Sequence, residues 1–155
     1  MKRIHIFGGP GSGKSTLARR LASENNLPLV ELDSLFWDND SPGYGVRRDP
    51  AERDKLLTEQ VKDDTWIIEG VYWSWCLPSF ERAEQIIILN TPHWIRQWRA
   101  GLRFFKRMTG IERSLKKDSL KGYLELVQWN AKWNRNNLAK AIEILKPFEA
   151  KIKYM

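Results

Sequence analysis

Apolar and polar positions fall in blocks along the chain, and the blocks predict alternating strands and helices. Arg3-Ile4-His5-Ile6-Phe7 is a short β-branched and aromatic run that stops at Gly8-Gly9-Pro10-Gly11, the pattern of a strand feeding a loop. Leu17, Ala18, Leu21 and Ala22 then recur at helical spacing, and Pro28-Leu29-Val30-Glu31-Leu32 reads as a second strand ending at Asp33. Strand, helix and strand at this spacing predict a parallel crossover unit. Residues 38–48 carry Asp, Asn, Ser, Pro and Gly and read as a mobile loop. A helix follows, with Asp49 as N-cap, Pro50 at its first position, Glu52 as capping-box partner and Leu56, Leu57 and Val61 as its buried face.

Thr65-Trp66-Ile67-Ile68-Glu69 and Gln85-Ile86-Ile87-Ile88-Leu89 are nearly continuous apolar runs, the pattern of central strands covered on both faces. Between them Tyr72, Trp73, Trp75, Pro78 and Phe80 form an aromatic connection with room for one turn of helix. Thr91-Pro92 is a second cap-plus-proline helix start. In that helix Ile95, Trp98, Leu102 and Phe105 form a stripe read as core, and Arg96, Arg99, Arg103 and Lys106/Arg107 form a neighbouring cationic stripe. Residues 108–121 are a poorly patterned connection, a long helix is expected over about 120–145, and Lys151-Ile152-Lys153-Tyr154 reads as a last strand.

Composition narrows the class. At 155 residues the chain is the size of one domain, and 42% hydrophobic residues exclude a disordered chain. A mean hydropathy of -0.53, with no apolar run near the roughly 20 residues of a membrane span, argues against a membrane partner. Met1-Lys2-Arg3 leads straight into the first strand and leaves no place for a secretory apolar region, so a cytoplasmic protein is expected. One cysteine, Cys76, excludes disulfide scaffolds and zinc modules and reads as a small buried hydrophobe. Net charge is +7 but uneven: residues 1–90 hold 11 Lys and Arg against 14 Asp and Glu, whereas residues 91–155 hold 15 against 5. The C-terminal part is therefore built to meet an anion, which nucleic acid, phosphate esters and nucleotides all satisfy.

A motif chooses among them. Gly8-Gly9-Pro10-Gly11-Ser12-Gly13-Lys14-Ser15 matches G-x-x-x-x-G-K-[ST] between a predicted strand and a predicted helix. Such a loop wraps a polyphosphate in backbone N–H groups, and the following helix adds its positive end. Lys14 then bridges the β- and γ-phosphates, the Ser15 hydroxyl is a ligand of Mg²⁺, and Thr16 reaches the α-phosphate. No Asn-Lys-x-Asp guanine signature is present, which argues against a GTPase.

Asp33 at the end of the second strand, Glu69-Gly70 at the end of the third and an arginine helix after the fourth make the chain resemble the adenylate kinase-like small-molecule kinases. A closer resemblance, covering most of the chain, is to the DNA topology modulation (FlaR-like) subgroup of adenylate kinase-related proteins. It is carried by Leu32-Asp33-Ser34-Leu35-Phe36-Trp37, Trp66-Ile67-Ile68-Glu69-Gly70-Val71-Tyr72, Ile86-Ile87-Ile88-Leu89 with Pro92, and Trp129/Trp133. The subgroup's Asp-Gly-Asn-Tyr is here Glu69-Gly70-Val71-Tyr72, its Leu-Asp is Leu89-Asn90, and the Asp-Gly-Phe-Pro-Arg of true adenylate kinases is absent, which argues against AMP as acceptor. The resemblance implies a three-layer α/β P-loop fold with a five-stranded parallel sheet in the order 2-3-1-4-5. Residues 38–64 are read as an acceptor-side insertion, and residues 108–121, with no apolar stripe, a glycine and Arg113, Lys116 and Lys117, are read as a lid that closes over ATP. The resemblance also implies ATP and Mg²⁺, with Glu69 helping to hold the metal through water and Arg99 and Arg103 facing the transferred phosphoryl group.

Asp33 is then a candidate to receive the acceptor hydroxyl proton or to bind a magnesium water. Arg82 is a candidate for pinning the acceptor, Arg96, Arg107, Arg113 and Arg135 for further phosphate contacts, and Trp37 with Trp73 or Trp75 for stacking on a planar substrate. His5 reads as a satisfied core side chain. The expected function is transfer of the ATP γ-phosphoryl group to a small-molecule acceptor within a single domain. Two alternatives are a nucleotide-dependent DNA-binding regulator, with nucleic acid as partner, and an NTPase that needs no acceptor; oligomeric state is left open.

Overall fold

The computed structural model describes residues 2–38, 45–108 and 137–155, with side chains throughout these except at 103, 104, 106–108 and 138. Its described elements run β1 (Arg3–Gly8), α1 (Lys14–Asn25), β2 (Leu29–Glu31), α2 (Leu32–Phe36), α3 (Pro50–Gln60), β3 (Trp66–Gly70), α4 (Leu77–Arg82), β4 (Gln85–Leu89), α5 (His93–Met108), α6 (Leu138–Leu145), a 3₁₀ segment (Lys146–Lys151) and β5 (Ile152–Tyr154). The strands form one parallel sheet in the order β2-β3-β1-β4-β5, as expected. Apart from Met108, which ends α5, the expected lid at 108–121 lies outside the described residues, as do most of the expected helix at 120–145, Arg113, Arg135 and positions 39–44 of the expected loop. Among the described residues no helix is long and apolar enough to cross a membrane.

Side-chain alternation along β1 divides the core. Ile4 and Ile6 point to the α1 face, where they pack with Ala18, Ile67 and Ile87. Phe7 points to the other face, with Leu57, Ile68, Phe80, Ile86 and Leu145. Both faces are covered, which is why β3 and β4 need continuous apolar runs rather than alternating ones. All five residues of β3 are buried, including the carboxyl-bearing Glu69.

His5 sits in the same strand, fully buried, with its ring 4.5 Å from that of Phe80. The Ser79 hydroxyl donates to the Cys76 carbonyl at 2.7 Å, so toward His5 it accepts, and the 2.9 Å contact places the imidazole proton on Nδ1. Nε2 is buried with no hydrogen-bond partner, so the ring is core but only half satisfied, a correction to the expected satisfied side chain. Burial lowers the His5 pKa from 6.5 to about 3. The folded chain therefore binds fewer protons than the unfolded chain between those values, and His5 withdraws stability as pH falls from about 6.5 toward 3. The slope approaches about 1.4 kcal/mol per pH unit within that window. Thermal midpoints of wild type and His5→Leu, compared from pH 7 to pH 4, should shift in favour of the variant on acidification; parallel curves would sink the assignment.

Cys76 is buried and free, as the sequence suggested, and burial pushes its thiol pKa up. Asp49 caps α3, accepting from Ala51 N at 2.9 Å and Glu52 N at 3.3 Å, with Pro50 behind it. Glu52, expected to complete a capping box, instead accepts from Arg48 Nη1 at 2.8 Å.

Two further expectations are corrected. The second strand ends at Glu31, and Leu32–Phe36 is a short helix, so Asp33 lies in a first helical turn. Leu32 and Leu35 are buried three residues apart on that turn, and Gly70 leaves room for the Leu32 side chain at the end of β3. The second correction concerns α5. Its stripe read as core is turned outward, with Trp98, Leu102 and Phe105 at 71%, 44% and 62% exposure, whereas Arg96 is 1% exposed and Ala100 is buried. Close approach explains the inversion. The Arg96 carbonyl would lie 2.9 Å from a Cβ placed on Gly11, so the turn carrying Arg96 and the small residue Ala100 is the one that faces the protein.

Candidate active site

The glycine-rich loop leaves the carboxyl end of β1 and turns into α1 through two glycines in the left-handed region, Gly11 (φ 73°) and Gly13 (φ 95°). L side chains rarely adopt such angles, and a Cβ on Gly11 would also strike the Arg96 carbonyl. Ser12 N–H donates to Gly9 O at 3.2 Å and closes the turn. Gly13 is the N-cap of α1, which has neither a side-chain cap nor an acidic residue in its first turn. Its leading N–H groups and positive end therefore stand open to an anion. The Ser12 hydroxyl is 4% exposed and without a hydrogen-bond partner, a second polar group that the protein itself leaves unsatisfied. Gly8, Gly9 and Pro10 are buried, and Thr16 is exposed in the first turn of α1.

Lys14, Ser15 and Glu69 meet at the mouth of this loop. Ser15 Oγ donates to Glu69 Oε1 at 2.9 Å, and Lys14 Nζ is 4.0 Å from Glu69 Oε2. Parallel pairing of β1 with β3 brings them together, because Glu69 stands opposite Ile6 and Gly70 opposite Phe7, beside the start of the loop. Glu69 is 5% exposed, and its Oε2 has no hydrogen-bond partner. Burial raises its pKa, which Lys14 and the Ser15 hydrogen bond oppose and the neighbouring Glu31 and Asp33 reinforce. This is a carboxylate held in a costly place, with one oxygen that faces Lys14 but accepts no hydrogen bond, and beside the Ser15 hydroxyl it suits a hydrated cation such as Mg²⁺. Among the described residues no group of three or more His, Cys, Asp or Glu is placed to hold a metal.

A second wall stands at the carboxyl end of β2. Asp33 is exposed, and Tyr72 Oη donates to its Oδ1 at 2.8 Å across 39 residues of sequence. Burial and the Asp33 charge push the Tyr72 pKa up, so the phenol keeps its proton. Phe36 stacks on Tyr72 at 4.7 Å, Trp37 meets the edge of Phe36, and Trp75 leans on Tyr72 at 5.3 Å. Arg47 lies 5.7 Å over Phe36 and Arg53 4.5 Å over Trp75. Arg48, with a side chain only 12% exposed, ties α2 to α3 by donating to Leu35 O at 3.1 Å and to Glu52 at 2.8 Å. Tyr72, Trp73 and Trp75 are all partly buried and packed against the core cluster.

The arginine helix reaches the loop from the other side. Arg99 Nη1 donates to Ser12 O at 3.2 Å and lies 3.4 Å from Gly11 O. Thr91, read as a helix cap, also donates to Ser12 O, at 3.0 Å. Burial lowers the pKa of Arg96 beneath this contact. Arg103 lies one turn beyond Arg99 on α5, and its side chain and that of Arg107 lie outside the described atoms. Arg82 is not part of the site. It donates to Lys62 O at 3.2 Å, just before β3 begins and so at the opposite end of the parallel sheet. Asn90 is exposed, its N–H donating to Met155 O at the end of β5. The Tyr72–Asp33 bond and the Thr91 anchor escaped the sequence reading, since neither pair is local.

No family model matches the chain. Among curated proteins it is 31% identical over 111 residues to a cytidylate kinase of Pyrobaculum islandicum, covering 64% of this chain and 59% of that protein. It is 28% identical over 142 residues to adenylate kinase 2 of Synechocystis, covering 81% and 75%, and 29% identical over 107 residues to the uncharacterized protein YqaC of Bacillus subtilis, covering 68% and 58%. The matched region thus spans about three fifths of the cytidylate kinase and of YqaC. Among solved structures it superposes on a gluconokinase of Sinorhizobium meliloti with a TM-score of 0.54 at 15% identity, covering 99% of this chain and 81% of that one. A shikimate kinase of Bacteroides thetaiotaomicron gives 0.52 at 20% identity, covering 99% and 83%. The fold is therefore that of the P-loop kinases. The cytidylate and adenylate kinases are the nucleotide kinases to which the chain is similar in sequence.

Proposed function

We propose that this protein transfers the γ-phosphoryl group of ATP, with Mg²⁺, to a small-molecule acceptor. The observation that carries the reading is the meeting of Lys14, Ser15 and Glu69 at the mouth of a loop whose glycines and open helix start fit a polyphosphate. In this reading residues Gly8 to Thr16 hold the nucleotide, Lys14 faces the β- and γ-phosphates, and Ser15 with Glu69 holds the metal. Bound Mg²⁺ supplies charge neutralisation for the phosphates.

Asp33 stands on the acceptor side and receives the proton of the attacking hydroxyl, with Tyr72 fixing which carboxylate oxygen is open. Arg99 and Arg103 complete the positive field around the transferred group. The insertion at 38–64 forms the acceptor wall, and 108–121 forms the lid. With ATP as donor the implied compartment is the cytoplasm. The likeness to the FlaR-like subgroup belongs to this proposal and rests on the residues quoted for it.

The reading of α5 as a DNA-binding surface is weakened by where its cations go: Arg96 is buried, and Arg99 is fastened to loop carbonyls. A screen of nucleosides, nucleotides and polyhydroxy acids for acceptor-dependent ADP formation tests the proposal. Turnover should rise at least tenfold over the acceptor-free rate with one acceptor class. An equal rate with every acceptor and with none would support the plain NTPase instead.

A further inference from the structure

One carbonyl of the phosphate loop is held by two anchors. Ser12 O accepts from Thr91 Oγ1 at 3.0 Å and from Arg99 Nη1 at 3.2 Å. Thr91 stands two residues beyond β4 and is 79 residues from Ser12 along the chain, so the bond ties the loop after β1 to the entry of α5. The peptide joining Ser12 to Gly13 is trans, and in a trans peptide the C=O and the next N–H point in opposite directions. A Ser12 carbonyl held toward α5 therefore turns the Gly13 N–H away from α5, into the loop. Glycine at φ 95° has little steric reason of its own to keep that peptide from rotating, so an external hold is needed. Arg99 is a long, exposed side chain, whereas Thr91 is short, half-buried and stiff at χ1. Thr91 is the firmer of the two anchors.

We propose that Thr91 is a positioning residue for phosphate recognition: its hydroxyl fixes the Ser12–Gly13 peptide so that the Gly13 N–H is aimed at a bound phosphate. The proposal rests on the reading of residues 8–15 as a nucleotide site. Calorimetric titration of wild type, Thr91→Val and Thr91→Ser with ATP·Mg²⁺ and with tripolyphosphate·Mg²⁺ separates the two. Valine keeps the shape and removes the donor, and both ligands should bind it about fivefold more weakly, the size of one neutral hydrogen bond. Serine restores the donor and should bind within twofold of wild type. The Gly13 amide proton should move downfield less on tripolyphosphate binding in Thr91→Val than in wild type, a change that loss of general stability does not produce. Wild-type affinity in Thr91→Val, or a serine variant as weak as the valine one, overturns the positioning role while leaving the nucleotide site intact. Failure of the wild type to bind either ligand strikes the nucleotide reading itself and the positioning role with it.

Discussion

Replacing Lys14 with alanine is expected to weaken ATP·Mg²⁺ binding by about 1.5–3 kcal/mol, the worth of a hydrogen bond to a charged group, or roughly 10- to 150-fold in Kd. The expected loss of turnover is larger, on the order of 10² to 10³, because a donor placed where charge develops acts most strongly in the transition state. The structure makes the lysine hard to replace. Its ammonium lies 4.0 Å from Glu69, with only 13% of its side chain exposed, so water cannot fully take its place beside the phosphates. Removing it also takes away the largest influence opposing the raised Glu69 pKa. Calorimetry on the folded variant gives the binding loss, and ADP formation gives the turnover loss. Unchanged affinity would mean that the loop does not hold the nucleotide through Lys14.

Glu69→Gln should separate activity from stability. A glutamine still accepts from Ser15 but carries no charge to offer a hydrated Mg²⁺, and loss of such an outer partner costs roughly 10- to 100-fold in metal affinity or activity. Stability should move the other way. Burial is the largest influence on Glu69 and raises its pKa above 4.5. A carboxyl whose folded pKa exceeds its unfolded value binds its proton more tightly when folded, so it favours the fold at low pH and opposes it as pH rises through that window. At pH 7 the neutral isostere should therefore match or exceed the wild-type thermal midpoint, and wild type should gain on the variant as pH falls toward 4.5. A variant that keeps full Mg²⁺-dependent turnover, or that melts well below wild type at pH 7, would contradict the role given to this carboxylate.

The parts legible in the sequence were those whose signal is local. Gln85–Leu89 is a nearly continuous apolar run and forms β4 at those bounds, and the glycine loop is recognised by eight consecutive residues. The error on α5 shows the limit of periodicity. Two adjacent stripes, one aromatic and one basic, are plain in the sequence, but that Arg96 and Ala100 face the protein depends on Gly11 meeting the Arg96 backbone, 85 residues away. α2 was invisible for another reason: five residues give too little repeat to distinguish Leu32–Phe36 from the end of a strand. At the site, Asp33 and Glu69 were found as acids closing apolar runs. Their partners Tyr72, Ser15 and Lys14 come to them only through the parallel register of β1, β2 and β3.

The central claim is that the backbone from Gly8 to Ser15 cradles a nucleoside triphosphate, and amide resonances of ¹⁵N-labelled protein titrated with ATP·Mg²⁺ test it most directly. The account predicts saturable downfield movement of the Gly11, Gly13, Lys14 and Ser15 amide protons, absent in Lys14→Ala at the same concentration, while β4 amides stay in place. Saturable shifts confined to residues away from this loop, or none at millimolar ATP·Mg²⁺, would contradict it.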